Sequence, residues 1–373
     1  MNPRERVIAV LNHRPSDRVP VDLGSTLVSS IHQIANNNLK AHLGIEADEP
    51  VHDVVQGLVV PDERILQRFG VDLRRVALRP PSNKAAILPS ADDDIYHDEW
   101  GLRRQRTDLY WEIVESPLAN AKVEDLRHYS WPDPHDPGRV AGLAEEVRSL
   151  YEETDYALVA DFLGGGIFEQ ALWLRGYERF MMDMVSDEPF VAALMDTLLE
   201  LYFEFYTVYL EVVGPYVQII AVGDDLGMQT GPLMSPDLYR RLIKPRHKEL
   251  YDFIHSRTET KILHHSCGGV FPLVQDLIDV GVDILNPIQT SAQGMDPANL
   301  KRTFGDRLVF HGGIDVQQIL PFATPERVRE EVRRIVATLG KGGGYIFAPS
   351  HNFQADVPPE NIVAMYETIQ EVR

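Results

Sequence analysis

Short apolar segments alternate with longer amphipathic stretches along most of this chain, and that alternation restricts the folds it can adopt. Each short segment contains a few β-branched or aromatic residues, and most precede a turn with Gly or Pro. Strands that alternate with helices are joined by right-handed crossovers and form a parallel sheet. Because eight such strands occur without a break in composition, the sequence predicts one α/β domain over 1–373, a (β/α)8 TIM barrel. The predicted strands are 19–24, 72–78, 156–162, 217–223, 260–266, 282–288, 307–312 and 343–348.

Helical patterns fill the intervals between the predicted strands. Apolar spacing, or a Pro at the first helical position after Ser, Thr or Asp, predicts helices over 189–213, 235–256, 297–304 and 325–339. One interval, about 79–155, is too long for a single crossover and contains an alternating, charge-rich segment at 92–118. We expect that segment to form a β-hairpin insertion near the barrel mouth.

Charge balance and cysteine content narrow the classes of partner. The 373 residues include 56 acidic and 36 basic side chains, which gives a formal net charge of −20. Such a protein repels phosphate backbones, so we expect no nucleic-acid partner. No apolar run reaches the roughly 18 residues of a membrane span, and the N-terminal segment lacks the apolar core of a secretory signal. Since Cys267 is the one cysteine, no intramolecular disulfide forms, and a reducing cytoplasmic location is expected.

Polar side chains cluster where the predicted strands end. Active sites of such barrels lie at the carboxyl ends of the strands, so these residues are the candidates for chemistry. We expect Asp161, Asp224 and Asp225 to include the catalytic groups, with one member of the adjacent pair facing the site and the other capping a turn. The residues predicted to line the substrate pocket are Asp22, Ser25, Asn286, Gln289 and His311.

The segment Lys261–Gly269 (KILHHSCGG) carries the most specific local signal. Residues two apart on a strand share a face, so His265 and Cys267 point the same way and His264 points into the helix layer. An imidazole and a thiol at one strand end can ligate zinc, although a buried free cysteine beside a hydrogen-bonded histidine has the same spacing. His351, which follows the last strand, is the candidate third ligand, with a loop or capping histidine as the alternative.

Beyond these local patterns, the sequence resembles the uroporphyrinogen decarboxylase superfamily nearly end to end. The segments that carry the resemblance are NPRERVIAVLNHRPSDRVPVDLG, FEQALWLRGYERFMMDM, GDDLGMQTGPLMSPDLYRRLIKPRHKEL, HSCGGVFPLVQDLIDVGVDILNPIQ, FGDRLVFHGGID and GGGYIFAPSHNFQADVPPENI. The fold of that superfamily is a (β/α)8 barrel, in agreement with the alternation. Its members often dimerise, so the resemblance also raises a homodimer as an oligomeric state.

The superfamily has two functional branches, and the residues favour one. True uroporphyrinogen decarboxylases use no metal and hold a polycarboxylate substrate with an R-Q-A-G-R segment after the first strand. The matching segment here, 21–26, has no arginine, and Asp22 would repel that substrate. The other branch contains zinc-dependent methyltransferases with an H-x-C-G motif and a second cysteine before P-x-E-N-I. His265, Cys267 and Gly268 match the first motif, and His351 stands where the second cysteine belongs.

The resemblance therefore implies a zinc-dependent methyltransferase that moves a methyl group between a small methylated substrate and a corrinoid protein or a thiol. Replacing one thiolate by an imidazole makes the metal a stronger Lewis acid, which favours a methyl ether as the substrate. The chain lacks a D-x-H-x-x-G corrinoid motif, so a corrinoid would arrive on a separate protein. The alternatives are a metal-independent decarboxylase or lyase with Asp224 or Asp225 as proton donor, and a non-catalytic barrel that binds a corrinoid or tetrapyrrole.

Overall fold

Seven parallel strands form the central sheet of the computed structural model, which describes residues 1–90 and 92–372. Each strand pairs with the next along the chain, as in a barrel. The predicted α/β barrel is thereby confirmed. The strands are β1 (Leu73–Val76), β2 (Ala157–Ala160), β3 (Ile219–Gly223), β4 (Lys261–His265), β5 (Ile284–Asn286), β6 (Val309–His311) and β7 (Tyr345–Ile346).

The predicted first strand, 19–24, is reduced to a single bridge that closes the ring. Val21 pairs in parallel with Phe347 beyond β7, and its carbonyl accepts a hydrogen bond from the Asp72 amide on the other side. Pro20 has no N–H group, so it cannot extend the ladder toward the N-terminus. The eighth position of the barrel is therefore occupied, but by a segment too short to count as a strand.

Helices surround the sheet. They are α1 (Pro3–Leu11), α2 (Gln33–Leu43), α3 (Glu63–Arg68), α4 (Leu143–Glu153), α5 (Gly166–Arg175), α6 (Tyr177–Ser186), α7 (Glu188–Val213), α8 (Pro236–Leu242), α9 (Lys244–Arg257), α10 (Val274–Val280), α11 (Pro297–Phe304), α12 (Ile319–Phe322), α13 (Pro325–Leu339) and α14 (Pro359–Glu371). The single helix predicted over 235–256 is two helices, α8 and α9. Pro245 explains the break, because a proline within a helix removes a backbone hydrogen bond. None of the described helices is both long and apolar enough to cross a membrane.

The interior of the barrel is filled by apolar side chains from alternate strand positions. Leu263 lies there with Leu73, Val159 and their neighbours, and α1 contributes Val7 and Val10. Since α1 packs against this inner cluster, it covers the end of the barrel opposite the carboxyl ends of the strands. The open mouth is the end at which the polar residues lie.

The insertion forms an antiparallel sheet of three strands rather than a two-stranded hairpin: Ile95–His97, Arg103–Arg106 and Trp111–Glu115. Its Trp111 amide donates to the Val55 carbonyl in the loop before the first barrel strand. Two further antiparallel pairs are short, Ile31–His32 with Leu58–Val59 and Gly227–Met228 with Gly231–Pro232.

Candidate active site

Three metal-ligating side chains converge at the barrel mouth. One ligand atom from each of His265, Cys267 and His351 lies within 4.8 Å of the other two. The His265 Nε2 to Cys267 Sγ distance is 3.5 Å, which matches the separation of about 3.5 Å between nitrogen and sulfur ligands on one tetrahedral zinc. The His265 and His351 rings lie edge to face with centroids 5.5 Å apart. The residues predicted as metal ligands are thus neighbours in space.

The opposite side of His265 is held by a buried chain of polar groups. Its Nδ1 lies 2.6 Å from the Asn286 side-chain oxygen, and the Asn286 amide nitrogen lies 2.6 Å from Nδ1 of His311. The chain ends at Asp22, whose Oδ2 lies 3.0 Å from His311 Nε2. Asn286, His311 and Asp22 are all at most 1% exposed.

This chain fixes the tautomers of both histidines. A carboxylate accepts only, so His311 donates Nε2–H to Asp22 and accepts at Nδ1 from the Asn286 amide. The Asn286 oxygen is then left to accept Nδ1–H from His265. The lone pair of His265 Nε2 therefore points toward Cys267 and is free to bind a metal.

Asp225 lies beside the three candidate ligands. Its Oδ1 accepts the Cys267 amide at 2.7 Å and lies 3.6 Å from His265 Nε2. Burial together with the nearby Asp225 and Glu169 carboxylates raises the pKa of the Cys267 thiol. Burial and, to a lesser extent, His265 lower the pKa of His351 to about 4, so that imidazole is neutral at physiological pH. Of the adjacent pair of aspartates, Asp225 is the one that faces the site.

Asp224 points the other way, into the helix layer. Its carboxylate accepts the backbone amides of Ile167, Phe168 and Glu169 at the start of α5. It also lies 2.7 Å from His247 Nε2, a fully buried partner from α9. These contacts occupy both of its oxygens, so the predicted catalytic role of Asp224 finds no support in its placement. His264 faces the same layer, as predicted, with Nδ1 2.7 Å from the Tyr251 hydroxyl.

The glycine that follows Cys267 is required by close packing. Gly268 has φ of +87°, and a Cβ there would lie 2.4 Å from the backbone carbon of Gly227. A side chain would therefore separate the loops that follow β3 and β4, which carry Asp225 and Cys267. The amide of Gly268 donates to the Gln289 side-chain oxygen at 2.7 Å, which places Gln289 beside the candidate ligands. Gln289, Cys267 and His351 line one cavity of about 350 Å³.

The remaining predicted site residues lie elsewhere on the rim or behind it. Asp161 is buried and pairs with Arg75, with Nε 2.5 Å from Oδ2, beside a second cavity. Ser25 is also buried, and its amide donates to Asp22 at 3.2 Å. Asn286 and His311 support His265 rather than line either of these two cavities. Of the residues predicted to line the substrate pocket, Gln289 is therefore the one that lines either of these two cavities, whereas Asp161, predicted as a catalytic residue, lines the second.

Sequence reasoning gave little weight to two residues at this rim. Burial, followed by the neighbouring Asp225 and Asp224 carboxylates, raises the pKa of Glu169 well above its ordinary value. Burial and the neighbouring carboxylates therefore favour the protonated form of Glu169. The position of Glu169 in the first turn of α5 matched a helix-dipole role equally well. Arg75 could have been identified from the sequence as an inward-facing residue, because it lies two residues after Leu73 on β1 and so shares its face.

Comparisons with known proteins show the family and the fold of this chain. The sequence profile of the family described as uroporphyrinogen decarboxylase (URO-D) matches residues 113–372. The chain is 36% identical over 99 residues to the uroporphyrinogen decarboxylase of Psychromonas ingrahamii, an alignment that covers only 26% of each chain. With the enzyme of the same name from Alkalilimnicola ehrlichii it is 25% identical over 275 residues, 70% of this chain and 69% of the relative.

Among solved structures, a methyltransferase from Methanosarcina mazei is similar over 100% of this chain and 99% of its own, with a TM-score of 0.66 and 19% identity. At that identity the similarity concerns the fold. By its fold the chain is an α/β barrel with polar residues gathered at the mouth. The chain belongs to the uroporphyrinogen decarboxylase family, which confirms the resemblance seen in the sequence.

Proposed function

We propose that this protein is a zinc-dependent methyltransferase that moves a methyl group between a small methyl ether and a corrinoid protein or thiol. The observation that carries the proposal is the convergence of His265, Cys267 and His351 within 4.8 Å at the barrel mouth. Nitrogen and sulfur donors in this number leave a fourth coordination position for substrate, as catalytic zinc requires.

The donor chemistry fits zinc on independent grounds. The Asn286 contact keeps the His265 proton on Nδ1, so the lone pair of Nε2 faces Cys267 Sγ at 3.5 Å. Burial favours the neutral imidazole of His351, the form that binds metals. The thiolate of Cys267 would be unstable among carboxylates without a cation nearby, and zinc supplies that charge. When bound, zinc would act as a Lewis acid on the ether oxygen.

The protein's own residues have separable roles in this proposal. Asp225 fixes the backbone of Cys267 through the 2.7 Å contact with its amide. Glu169, whose protonated form is favoured by burial and the neighbouring carboxylates, is the candidate donor of the proton that the leaving oxygen must gain. During transfer the methyl carbon bonds to the acceptor, the electrons of the broken C–O bond stay on oxygen, and the Glu169 proton converts that oxygen to a hydroxyl. A single thiolate donates less charge to the metal than two, which suits an oxygen leaving group better than a bound thiol nucleophile.

The second candidate is a metal-independent decarboxylase or lyase, the activity that the names of the curated relatives carry. Asp225 and Glu169 would then exchange protons with a substrate carbon. The Asp225 carboxylate beside His265 disfavours a polyanionic substrate, because each added negative charge is repelled.

Metal content distinguishes the two candidates. Purified protein and the variants Cys267→Ser and His351→Ala are analysed for zinc by emission spectrometry, with exposed His135→Ala as the matched control. We expect one zinc per chain in the wild type and the control, and loss of zinc in both site variants. Methylation of cob(I)alamin by an aryl methyl ether, followed by absorbance, should depend on that zinc. A zinc-free protein that releases carbon dioxide from a carboxylic acid, with or without Cys267, would support the lyase instead.

A further inference from the structure

A second and larger cavity opens beside the candidate metal residues. Its volume is about 710 Å³, and it lies between the insertion sheet and the carboxyl ends of β1 and β2. Gln354 lines both this cavity and the one that contains Cys267 and His351. Phe162, also in its wall, meets the His265 ring edge to face at 6.0 Å. A ligand in the large cavity would therefore lie next to the candidate metal residues.

Arg75 presents unused hydrogen-bond donors to this cavity. Its Nε contacts Asp161 at 2.5 Å, and within residues 1–90 and 92–372 its two terminal nitrogens make no hydrogen bond. The side chain is 22% exposed, whereas that of Asp161 is 2% exposed. Asp161 is itself held by the Leu27 amide at 3.0 Å. The guanidinium is thus fixed along one edge, and the other edge has the geometry that binds a carboxylate through two parallel hydrogen bonds.

Two arginines line the cavity, and within the described residues Arg75 is the one whose two terminal nitrogens both lack a hydrogen bond, since Nη1 of Arg104 donates to the Trp111 carbonyl. Arg104 is paired with Asp98, Nε to Oδ2 2.9 Å. Burial, with Arg75 nearby, lowers the pKa of His52 to about 4, so His52 is uncharged at neutral pH. Burial raises the pKa of Asp53, which favours its neutral form. Glu112 stands on the exposed edge of the insertion sheet.

The walls between these groups are aromatic. Trp111 and Tyr110 come from the insertion, Trp173 from α5 and Phe162 from the loop after β2. The Tyr110 hydroxyl donates to Gln354, which connects the insertion to the loop that carries His351. Flat, apolar surfaces of this kind bind the body of a ligand while the polar group fixes its orientation.

We propose that the methyl donor is an anionic methyl ether with a flat apolar body, bound by Arg75 through its carboxylate and with its methoxy group toward His265, Cys267 and His351. This inference rests on the proposed function, since it names the substrate class of the same site. It differs from recognition of a polycarboxylate, because one guanidinium with both terminal nitrogens available and a cavity of about 710 Å³ suit a small monoanion.

Three probes of one shape test the charge requirement: 4-methoxybenzoate, neutral 4-methoxybenzamide and cationic 4-methoxybenzylamine. Their dissociation constants are measured by calorimetry with wild-type protein, Arg75→Gln, Arg75→Lys and the control Arg79→Gln. Arg79 lies on the same segment but pairs with Glu146 and does not line the cavity. We expect the benzoate to bind at least about tenfold more tightly than the amide, and Arg75→Gln to remove that difference. Arg75→Lys should retain part of it, and Arg79→Gln all of it.

Equal binding of benzoate and amide to the wild type, or a preference for the amine, would overturn the inference. So would an Arg75→Gln variant that keeps the preference for benzoate. If Arg75→Gln is poorly folded, the comparison of probes on the wild type and on Arg75→Lys decides alone. Failure of the proposed function gives a different result, namely charge-selective binding without methyl transfer from the bound ether. Methyl transfer from the amide as fast as from the benzoate would count against the Arg75 assignment only.

Discussion

His311 and Asp22 are 289 residues apart in the sequence, yet His311 Nε2 lies 3.0 Å from Asp22 Oδ2 in the barrel interior. Both are at most 1% exposed. The pair anchors the polar chain that ends at His265, so a carboxylate on the segment that closes the barrel determines which nitrogen of His265 is free to bind a metal. Histidine ligands to metals are commonly oriented by partners of this kind, and here two further side chains stand between carboxylate and ligand.

Breaking that chain should weaken metal binding without removing a ligand. In Asn286→Leu, His265 loses the acceptor for its Nδ1–H, and the other tautomer becomes accessible. We expect zinc affinity to fall about 10- to 100-fold, as measured by competition with a chromogenic chelator. The control is Asn299→Ala, a half-buried position on α11. Unchanged zinc affinity in Asn286→Leu would show that the chain does not orient His265.

The loss of turnover on replacing Glu169 should depend on how strongly the leaving oxygen of the ether needs a proton. In Glu169→Gln the proton donor is lost, so turnover of an aryl methyl ether should fall about 10²- to 10⁴-fold. A donor with a stable leaving group, such as 4-nitroanisole, should lose much less, because its oxygen needs no proton to depart. Exposed Glu178→Gln on α6 serves as the control. Equal losses for the two ethers would assign Glu169 a structural role.

Zinc affinity should decrease as the pH falls from 8 to 5. The Cys267 thiol must lose its proton to bind, and burial raises its pKa, so the thiol competes for protons throughout that range. Each displaced proton lowers the affinity about tenfold per pH unit. His351 adds nothing to this slope above its own pKa of about 4. Chelator competition at each pH measures the slope, and Cys267→Ser should flatten it, whereas a pH-independent wild type would exclude the thiolate as a ligand.

Replacing the imidazole of His351 by a thiol should change zinc affinity and the rate of methyl transfer in opposite directions. We expect His351→Cys to bind zinc more tightly than the wild type and to turn over methyl ethers more slowly, because a second thiolate reduces the Lewis acidity of the metal. Zinc titration and single-turnover methyl transfer measure the two effects. Faster ether turnover in this variant would contradict the argument from charge.

The close packing at Gly268 can be tested by measuring the free energy of unfolding of variants. Gly268→Ala combines a left-handed backbone with a Cβ 2.4 Å from the Gly227 backbone, so we expect a loss of at least about 3 kcal/mol in the free energy of unfolding. Gly142 is a matched control, with φ of +72° and no atom within 4 Å of its Cβ position. Gly142→Ala should cost only the backbone strain, about 1 kcal/mol. Denaturant titration measures both, and similar losses would show that the two loops separate easily.

The sequence alone determined the barrel and the candidate ligands on its fourth strand. Period-two alternation is a local property of a strand, so His264 and His265 had to take opposite faces, and the same alternation predicted the side of Cys267, which stands two residues beyond β4. The end of α8 before Pro245 has an equally local cause, since a proline lacks the amide that a continuous helix needs, although the apolar spacing had predicted one helix over 235–256. The family resemblance added the expected position of His351.

Only the tertiary structure decided which polar groups meet. The approach of His351 to His265, and the chain from His265 to Asp22, depend on the ring closing through Val21 and Phe347. The packing of α5 against the loop after β3 determines which of two adjacent aspartates faces the mouth, because the start of α5 takes up the carboxylate of Asp224. Contacts between distant segments depend on how strands tilt and helices pack, and neither is encoded in the spacing of neighbouring residues.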